Sequence, residues 1–348
     1  MKILSQNLFD AFKTHQIDAF LVTKDENIFY LTGYRSAESW LLVTPKNVFY
    51  LTDGRHSLDA RRSLKGVQVI ECKKSIFDEL AKIAFSQKVR FLGFDERWLT
   101  VSSFKRIKES LKGKIKLVGS SGFIENARAI KQRSEIAKIR KALQFHEKCL
   151  HYLKSIIQPC RSENQIFERL ERYVRAHHQS FSFPTIIASG PNTCFPHARV
   201  TDRKLRRGEP ILVDMGIEND GYKSDLTRMF FLGKISQHIR GVYDSVAQAQ
   251  RIAIEKVRPG VLAKDIDNEA RNFLKQKKLD TYFSHSLGHG VGLEVHEAPG
   301  ISPRNPTPVK EGMVFTIEPG VYISGQFGIR VEDMILVTAK GHEILSPF

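Results

Sequence analysis

Cysteine is scarce in this chain and never paired in sequence. Four cysteines occur in 348 residues, Cys72, Cys149, Cys160 and Cys194, and none forms a CxxC motif. That spacing excludes a disulfide framework and points to free thiols in a reducing compartment, the cytoplasm. No apolar run reaches the ~20 residues that cross a bilayer, so a membrane span is excluded. The N-terminal MKILSQNLFDAFKTH lacks a long apolar core, so no secretory signal is expected. Low-complexity segments are absent. Acidic residues are in the minority: 38 Asp and Glu stand against 54 Lys and Arg, for a net charge of +16. The excess is not gathered into a basic block or a basic-aromatic stripe. Stretches such as Arg203 to Arg207 and Lys275 to Lys278 read as solvated faces, so a nucleic-acid partner is not expected.

What is present is ordinary for a folded chain. Hydrophobic residues are 41% and charged residues 26%, too apolar for disorder. The length suggests two domains. In residues 1–118, AFLVT (19–23), WLLVT (40–44), NVFYLT (47–52), VQVIEC (67–72) and VRFLGFD (89–95) read as strands. Helix-like stretches such as SIFDELAKIAF and VSSFKRIKESL lie between the later ones, which predicts an α/β domain. Residues 119–130 begin small and polar and read as a linker. Residues 131–348 form a second, α+β domain. Its first helix has Ser134 as a candidate N-cap and carries Ile136, Ile139, Leu143, Leu150 and Leu153 on one stripe. His146 falls on that stripe and reads as a satisfied core residue. Further helices are expected around Ile166 to Val174, from Gln237 to Val257 and from Ala263 to Lys277, with strand pairs between and after them.

Those strand pairs carry the chemistry. In ILVDMGIENDGYKSDLTRMFF, an NDG cluster signals a hairpin. A turn centred between Asn219 and Asp220 sets Asp214 directly opposite Asp225. In VFTIEPGVYISGQFGIRVEDMILV, Glu318 and Glu332 are equidistant from Gly325 and should also face each other. Arg330 and Glu332, two residues apart, share a face, while Val331 and Asp333 point the other way. Opposed carboxylates destabilise a strand pair. Their apolar neighbours Ile211-Leu212-Val213 and Met334-Ile335-Leu336 argue for burial, and buried carboxylates must be paired or bind metal. Lys223, Arg228 and Arg330 are too few to neutralise them. HSLGHGVGLEVHE adds His289 among glycines, where backbone can approach a ligand, and His296. The spacing of His285 and His289 matches a zinc-binding helix, but the interleaved glycines argue against a helix. Four carboxylates with one imidazole suit Mn2+, Co2+ or Fe2+, and Zn2+ less distinctively. Charge balance favours two divalent ions, which together generate a water nucleophile for amide or ester hydrolysis.

The phrases FPHA, LVDMG, SDLTRMF, GHGVGLEVHE, FTIEPGVY and GIRVED, in that order, resemble the metal-dependent peptidases of the pita-bread fold. That family includes methionine aminopeptidase, prolidase and aminopeptidase P, with metal-free creatinase as a relative. NIFYLTGYRSAESWLLVT and YLTDGRHSLDA resemble the creatinase/prolidase-like N-terminal domain of its proline-specific members. The resemblance implies metal ligands at Asp214, Asp225, His289, Glu318 and Glu332, with Asp225 and Glu332 bridging two ions, Mn2+ foremost. It implies that Glu318 moves a proton from water to the leaving proline nitrogen and that His296 steadies the substrate carbonyl. His197 should line the substrate pocket. Arg330 should support the metal cluster, as could Thr227 and Thr316. The activity implied is release of the N-terminal residue from peptides with proline second, by a cytoplasmic homodimer. Prolidase is the alternative. Many prolidases have arginine after HE-x-P, where this chain has Gly300, which tips the reading toward longer peptides. An inactive binding protein on the same fold is the alternative of another class; its sole support is the positive charge.

Overall fold

A computed structural model describes residues 12–14, 16–35 and 37–346. The chain divides into two units, Met1–Arg128 and Ala129–Phe348.

The first unit is built on strands β1 (Ala19–Val22), β2 (Trp40–Val43), β3 (Val48–Thr52), β4 (Gln68–Glu71), β5 (Phe91–Asp95) and β6 (Lys116–Ser120). They form one sheet in the order β4-β3-β2-β1-β5-β6. The pairs β1–β2 and β2–β3 are antiparallel, and β3–β4, β1–β5 and β5–β6 are parallel. The antiparallel pairs need only short connections, and Pro45 to Asn47 supplies one. Parallel pairs need crossovers, supplied here by helices. After α1 (Asp25–Thr32), which lies in the longer β1–β2 connection, these are α2 (Gly54–Ser63), α3 (Ile76–Ser86) and α4 (Val101–Ser110). Both sheet faces are covered, which is why the five strands expected from sequence are near-continuous apolar runs.

Residues 119–130, expected as a linker, are folded. They contain the end of β6 and the short helix α5 (Glu125–Ala129). Phe123 and Ile124 are buried, and the Phe123 ring stacks on Phe20 at 4.1 Å. Two apolar side chains here outweigh the small polar residues that suggested a loop.

The second unit begins with α6 (Arg133–Ile156) and α7 (Glu163–Ala176), followed by β7 (Ser180–Phe181), β8 (Ile186–Ser189), β9 (Pro210–Met215), β10 (Ile217–Asn219), β11 (Tyr222–Lys223) and β12 (Leu226–Phe231). Its N-cap is Gln132 rather than Ser134; the Glu135 carboxylate accepts from the Gln132 N–H at 2.9 Å and closes the first turn. Next come α8 (Gln237–Lys256) and α9 (Ala263–Gln276). The chain ends with β13 (Gly288–Gly290), β14 (Glu297–Ile301), β15 (Val314–Ile317), β16 (Gly320–Ile323), β17 (Phe327–Arg330), β18 (Asp333–Thr338) and β19 (Gly341–Ile344).

The two halves of this unit repeat one design. In the first, α6 and α7 pack on the sheet β12-β9-β8 through Leu150, Leu153, Ile166, Leu170, Ile187 and Val213. In the second, α8 and α9 pack on the sheet β14-β13-β15-β18-β19 through Val246, Ala249, Ile266, Ala270, Phe315 and Ile335. Each helix pair is joined by a turn with a left-handed residue in the same place, Cys160 at φ 67° and Gly260 at φ 88°.

Candidate metal centre and cleft

Asp214 lies on β9, and the register sets it opposite Thr227 of β12, not Asp225. The hairpin loop explains the difference. Glu218 pairs with Lys223 and Asn219 with Tyr222, so the two loop residues are Asp220 and Gly221, at φ 48° and 84°. This is the I′ geometry that matches strand twist, and it moves the centre one residue past the sequence midpoint. Asp225 falls level with Gly216 instead. The two acids lie in the same cleft without facing each other across a rung.

The second strand pair has the expected register. Ile317 pairs with Asp333 and Gly320 with Arg330, which sets Glu318 level with Glu332. Both acids sit at the break between the five-stranded sheet and the β16–β17 ribbon. Arg330 and Glu332 turn to the cleft, whereas Asp333 turns away to Arg228 at 2.6 Å and Gln250 at 3.0 Å.

His289 comes from β13, a strand and not a helix. Gly288 and Gly290 flank it because their Cβ atoms would strike the Thr316 and Ala298 carbonyls. The His289 N–H donates to Thr316 Oγ1 at 3.1 Å, and that hydroxyl donates to Glu318 Oε1 at 3.1 Å. His289 Nε2 stands 3.2 Å from Glu318 Oε1 and 3.6 Å from Asp225 Oδ2. Ligand atoms of Asp225, His289 and Glu332 lie within 4.8 Å of one another, close enough to share one cation. Asp214 is held by Arg330, whose Nη2 donates to Oδ2 at 2.6 Å.

Arg330 is only 3% exposed. It also donates to Tyr322 Oη at 2.7 Å, Thr227 Oγ1 at 3.0 Å and the Pro196 carbonyl at 3.2 Å. Thr227 in turn donates to Glu332 Oε2 at 2.7 Å. Arg330 and Thr227 thus orient Asp214 and Glu332, as Thr316 orients His289 and Glu318.

The electrostatics are those of acids gathered without enough positive charge. Burial first, then Glu332 and Asp214, pushes Asp225 well above the usual carboxylate range. Burial with Glu318 and Asp214 does the same to Glu332. Burial raises Asp214 against the pull of Arg330. Burial also acts upward on Glu318, but the His289 hydrogen bond and charge outweigh it and leave Glu318 at about 2. Asp214 Oδ1 is buried with no hydrogen-bond partner among the described residues. An orphaned carboxylate oxygen beside acids driven toward protonation fits a cation-binding centre.

These five side chains line one cleft of about 970 Å3 together with His197, His285, His296 and Arg330. The rings of His296 and His289 are 4.1 Å apart. Burial and the His289 charge lower the His296 pKa. His197 is exposed and follows a 3-10 turn, Gly190–Cys194, on a loop tied to buried Glu163. Phe183, Pro184, Ile186 and Val295 supply an apolar wall.

Sequence reading missed two residues that line the cleft and one buried behind them. His285, set aside there, lines the wall and stands with Nε2 3.0 Å from Tyr322 Oη. Tyr322 bridges it to Arg330; period-2 alternation from Glu318 through Gly320 is the signal that could have found it. Arg199 is the third. His146 departs from expectation in part. Nδ1 meets Ser224 Oγ at 3.2 Å, but Nε2 is buried without a partner among the described residues.

Comparison with known proteins agrees with this geometry. Residues 137–339 match metallopeptidase family M24, and residues 5–130 match the creatinase/prolidase N-terminal domain. An uncharacterized peptidase of Bacillus subtilis is 30% identical, over 98% of this chain and 97% of its own. A structure described as an Xaa-Pro dipeptidase from Bacillus anthracis superposes with TM-score 0.95 at 32% identity, covering 100% of this chain and 97% of that one. An X-Pro aminopeptidase from Thermotoga maritima gives TM-score 0.88 at 33% identity, covering 97% and 98%. This chain therefore belongs to metallopeptidase family M24: it is a hydrolase of the pita-bread fold with a creatinase/prolidase-type N-terminal domain.

Proposed function

We propose that the chain is a dinuclear metal-dependent Xaa-Pro aminopeptidase that releases the N-terminal residue from peptides with proline second. The observation that carries this reading is the convergence of Asp214, Asp225, His289, Glu318 and Glu332 on one cleft, with acids displaced toward protonation and one oxygen left without a donor. These five side chains would hold two divalent ions, Mn2+ foremost and Co2+, Zn2+ or Fe2+ as alternatives. Four carboxylates balance two such ions. When bound, the ions would polarise the substrate carbonyl and acidify a water molecule.

The chain's own residues do the rest. Glu318 takes a proton from the water whose oxygen adds to the carbonyl carbon, and delivers it to the proline nitrogen as the C–N bond breaks. His296, whose pKa burial lowers, serves as a neutral donor to the carbonyl oxygen. His197 orients the peptide from the neighbouring loop. The apolar wall of Phe183, Pro184, Ile186 and Val295 suits a proline ring. Arg330 keeps Asp214 in place. All of these residues fall within the proposed catalytic domain, 131–348.

The preference for longer peptides rests on Gly300, which lines the cleft with open space where a side chain would stand. Prolidase, the same chemistry on dipeptides, is the second reading. Arg199 favours it by placing a positive charge in the cleft. The proposal includes a cytoplasmic homodimer acting on short peptides. Among the described residues no helix is long and apolar enough to cross a membrane.

The test is hydrolysis of Ala-Pro, Ala-Pro-Ala and Ala-Ala-Ala by chelated protein reloaded in turn with Mn2+, Co2+, Zn2+ or Fe2+. Cleavage confined to the proline peptides is expected, with Ala-Pro-Ala preferred. No cleavage with any of the four metals, or equal cleavage of Ala-Ala-Ala, would overturn the proposal.

A further inference from the structure

Two arginines line the cleft, and their situations are opposite. Arg330 is buried and spends its donors on Asp214, Tyr322, Thr227 and the Pro196 carbonyl. Arg199 is exposed and makes no hydrogen bond or ion pair with any described residue. Among the described residues no lysine lines the cleft. Nearby Arg203 shows what an arginine of this loop does when it is structural. It donates to both Glu209 oxygens, at 2.8 and 2.7 Å, and to Ser189 Oγ at 2.7 Å.

The backbone that carries Arg199 is anchored on both sides. Glu163 accepts from the Ser189 N–H and hydroxyl at 2.7 Å each, and from the Thr201 N–H at 3.1 Å and hydroxyl at 2.6 Å. Gly328 N–H donates to Thr193 Oγ1 at 2.7 Å within the same loop. Arg199 therefore lines the cleft from a fixed base, with no partner for its guanidinium among the described residues. A planar fork of donors is the group that best matches a carboxylate, through two parallel hydrogen bonds. A peptide bound by its N-terminal Xaa-Pro unit carries one fixed negative charge, its C-terminal carboxylate. Gly300 supplies no competing side chain.

Building on the Xaa-Pro reading, we propose that Arg199 binds the free C-terminal carboxylate of a short peptide and so determines the chain length this enzyme prefers. It is a specificity residue, touching substrate but no reacting atom. The enzyme should distinguish a peptide acid from the same peptide amidated at its C-terminus, most strongly at the length that brings the carboxylate to Arg199.

The experiment compares Ala-Pro, Ala-Pro amide, Ala-Pro-Ala and Ala-Pro-Ala amide on Mn2+-loaded wild type, Arg199→Gln and Arg199→Lys. Wild type should favour acid over amide by about tenfold in kcat/KM at one of the two lengths. Arg199→Gln should bring that ratio to about one through KM of the acid, and Arg199→Lys should retain part of it. An acid preference that survives Arg199→Gln at both lengths, or its absence from wild type, overturns the proposal. Calorimetric binding of the same four peptides, with the Ala-Pro carbonyl reduced to CH2 to prevent cleavage, separates this proposal from the one it rests on. If wild type hydrolyses nothing, the Xaa-Pro reading fails. The acid-to-amide ratio of Kd still judges Arg199: collapse in Arg199→Gln supports it, and no change or no binding refutes it.

Discussion

Replacing Glu163 by glutamine tests whether the substrate-facing loop is held by one buried carboxylate. The change is isosteric, so packing is preserved. Each oxygen of Glu163 meets a backbone N–H that cannot rotate away: Ser189 at Oε1 and Thr201 at Oε2. Asn192 Nδ2 adds a donor at 3.2 Å to each oxygen. In either orientation a glutamine amide turns its NH2 against one of those backbone donors. The variant loses a charge-assisted hydrogen bond and leaves a buried N–H unpaired, which together cost about 3 kcal/mol. For a domain of this size that is on the order of 6–12 °C in melting temperature. Urea denaturation of wild type and Glu163→Gln measures the difference. Because His197 and Arg199 ride on the loop, KM for an Xaa-Pro peptide should rise more than kcat falls. A loss of stability below about 0.5 kcal/mol, the range of an ordinary surface substitution, would refute the reasoning.

Three further outcomes are expected. Glu318→Gln should keep its circular dichroism spectrum and lose turnover by about 10^2- to 10^4-fold; near wild-type rates would remove its proton-transfer role. Asp225 and Glu332 have pKa values raised by burial and then by neighbouring acids, so the metal-free folded chain holds their protons longer than the unfolded chain does. Its stability should fall as pH rises above about 4.5, opposite to the contribution of Glu318, which is lost only as pH falls toward about 2. Asp225→Asn should therefore raise the metal-free melting temperature at neutral pH and abolish the rise on adding Mn2+; a lower metal-free value would contradict this. Burial, with the Arg228 charge second, pulls His146 down to about 3 from an ordinary 6.5. Its stabilisation is complete above 6.5 and is lost as pH falls from there toward 3, on the order of 5 kcal/mol in all. His146→Phe should flatten that arm of the pH–stability curve, and an unchanged slope would argue against it.

Most elements were legible because their signals are local. Alternation and apolar runs marked β1, β2, β3, β4 and β5, and helical periodicity marked α6 to α9 within a few residues. The Glu318–Glu332 register was readable because a long symmetric ribbon around Gly325 leaves one solution. The Asp214–Asp225 register was not, because NDG allows two centres one residue apart. Only the positive φ of Asp220 and Gly221 selects between them. Phe123 and Ile124 misled in the opposite sense, since a short segment shows no periodicity and its burial depends on partners far away in sequence.

By itself the sequence determined which chemical groups were available: four acids and an imidazole, carried on strands by residues whose neighbours are too apolar for solvent. It could not assign their partners. Tertiary structure decided that Arg330 holds Asp214, that Thr227 orients Glu332 and Thr316 orients Glu318, that His285 lines the cleft against Tyr322, and that Arg199 has no partner there among the described residues. The reason is that identity and spacing are properties of a short stretch of chain. Hydrogen bonds, burial and the resulting proton affinities depend on distances between segments as far apart as Asp214 and Arg330, which only folding sets.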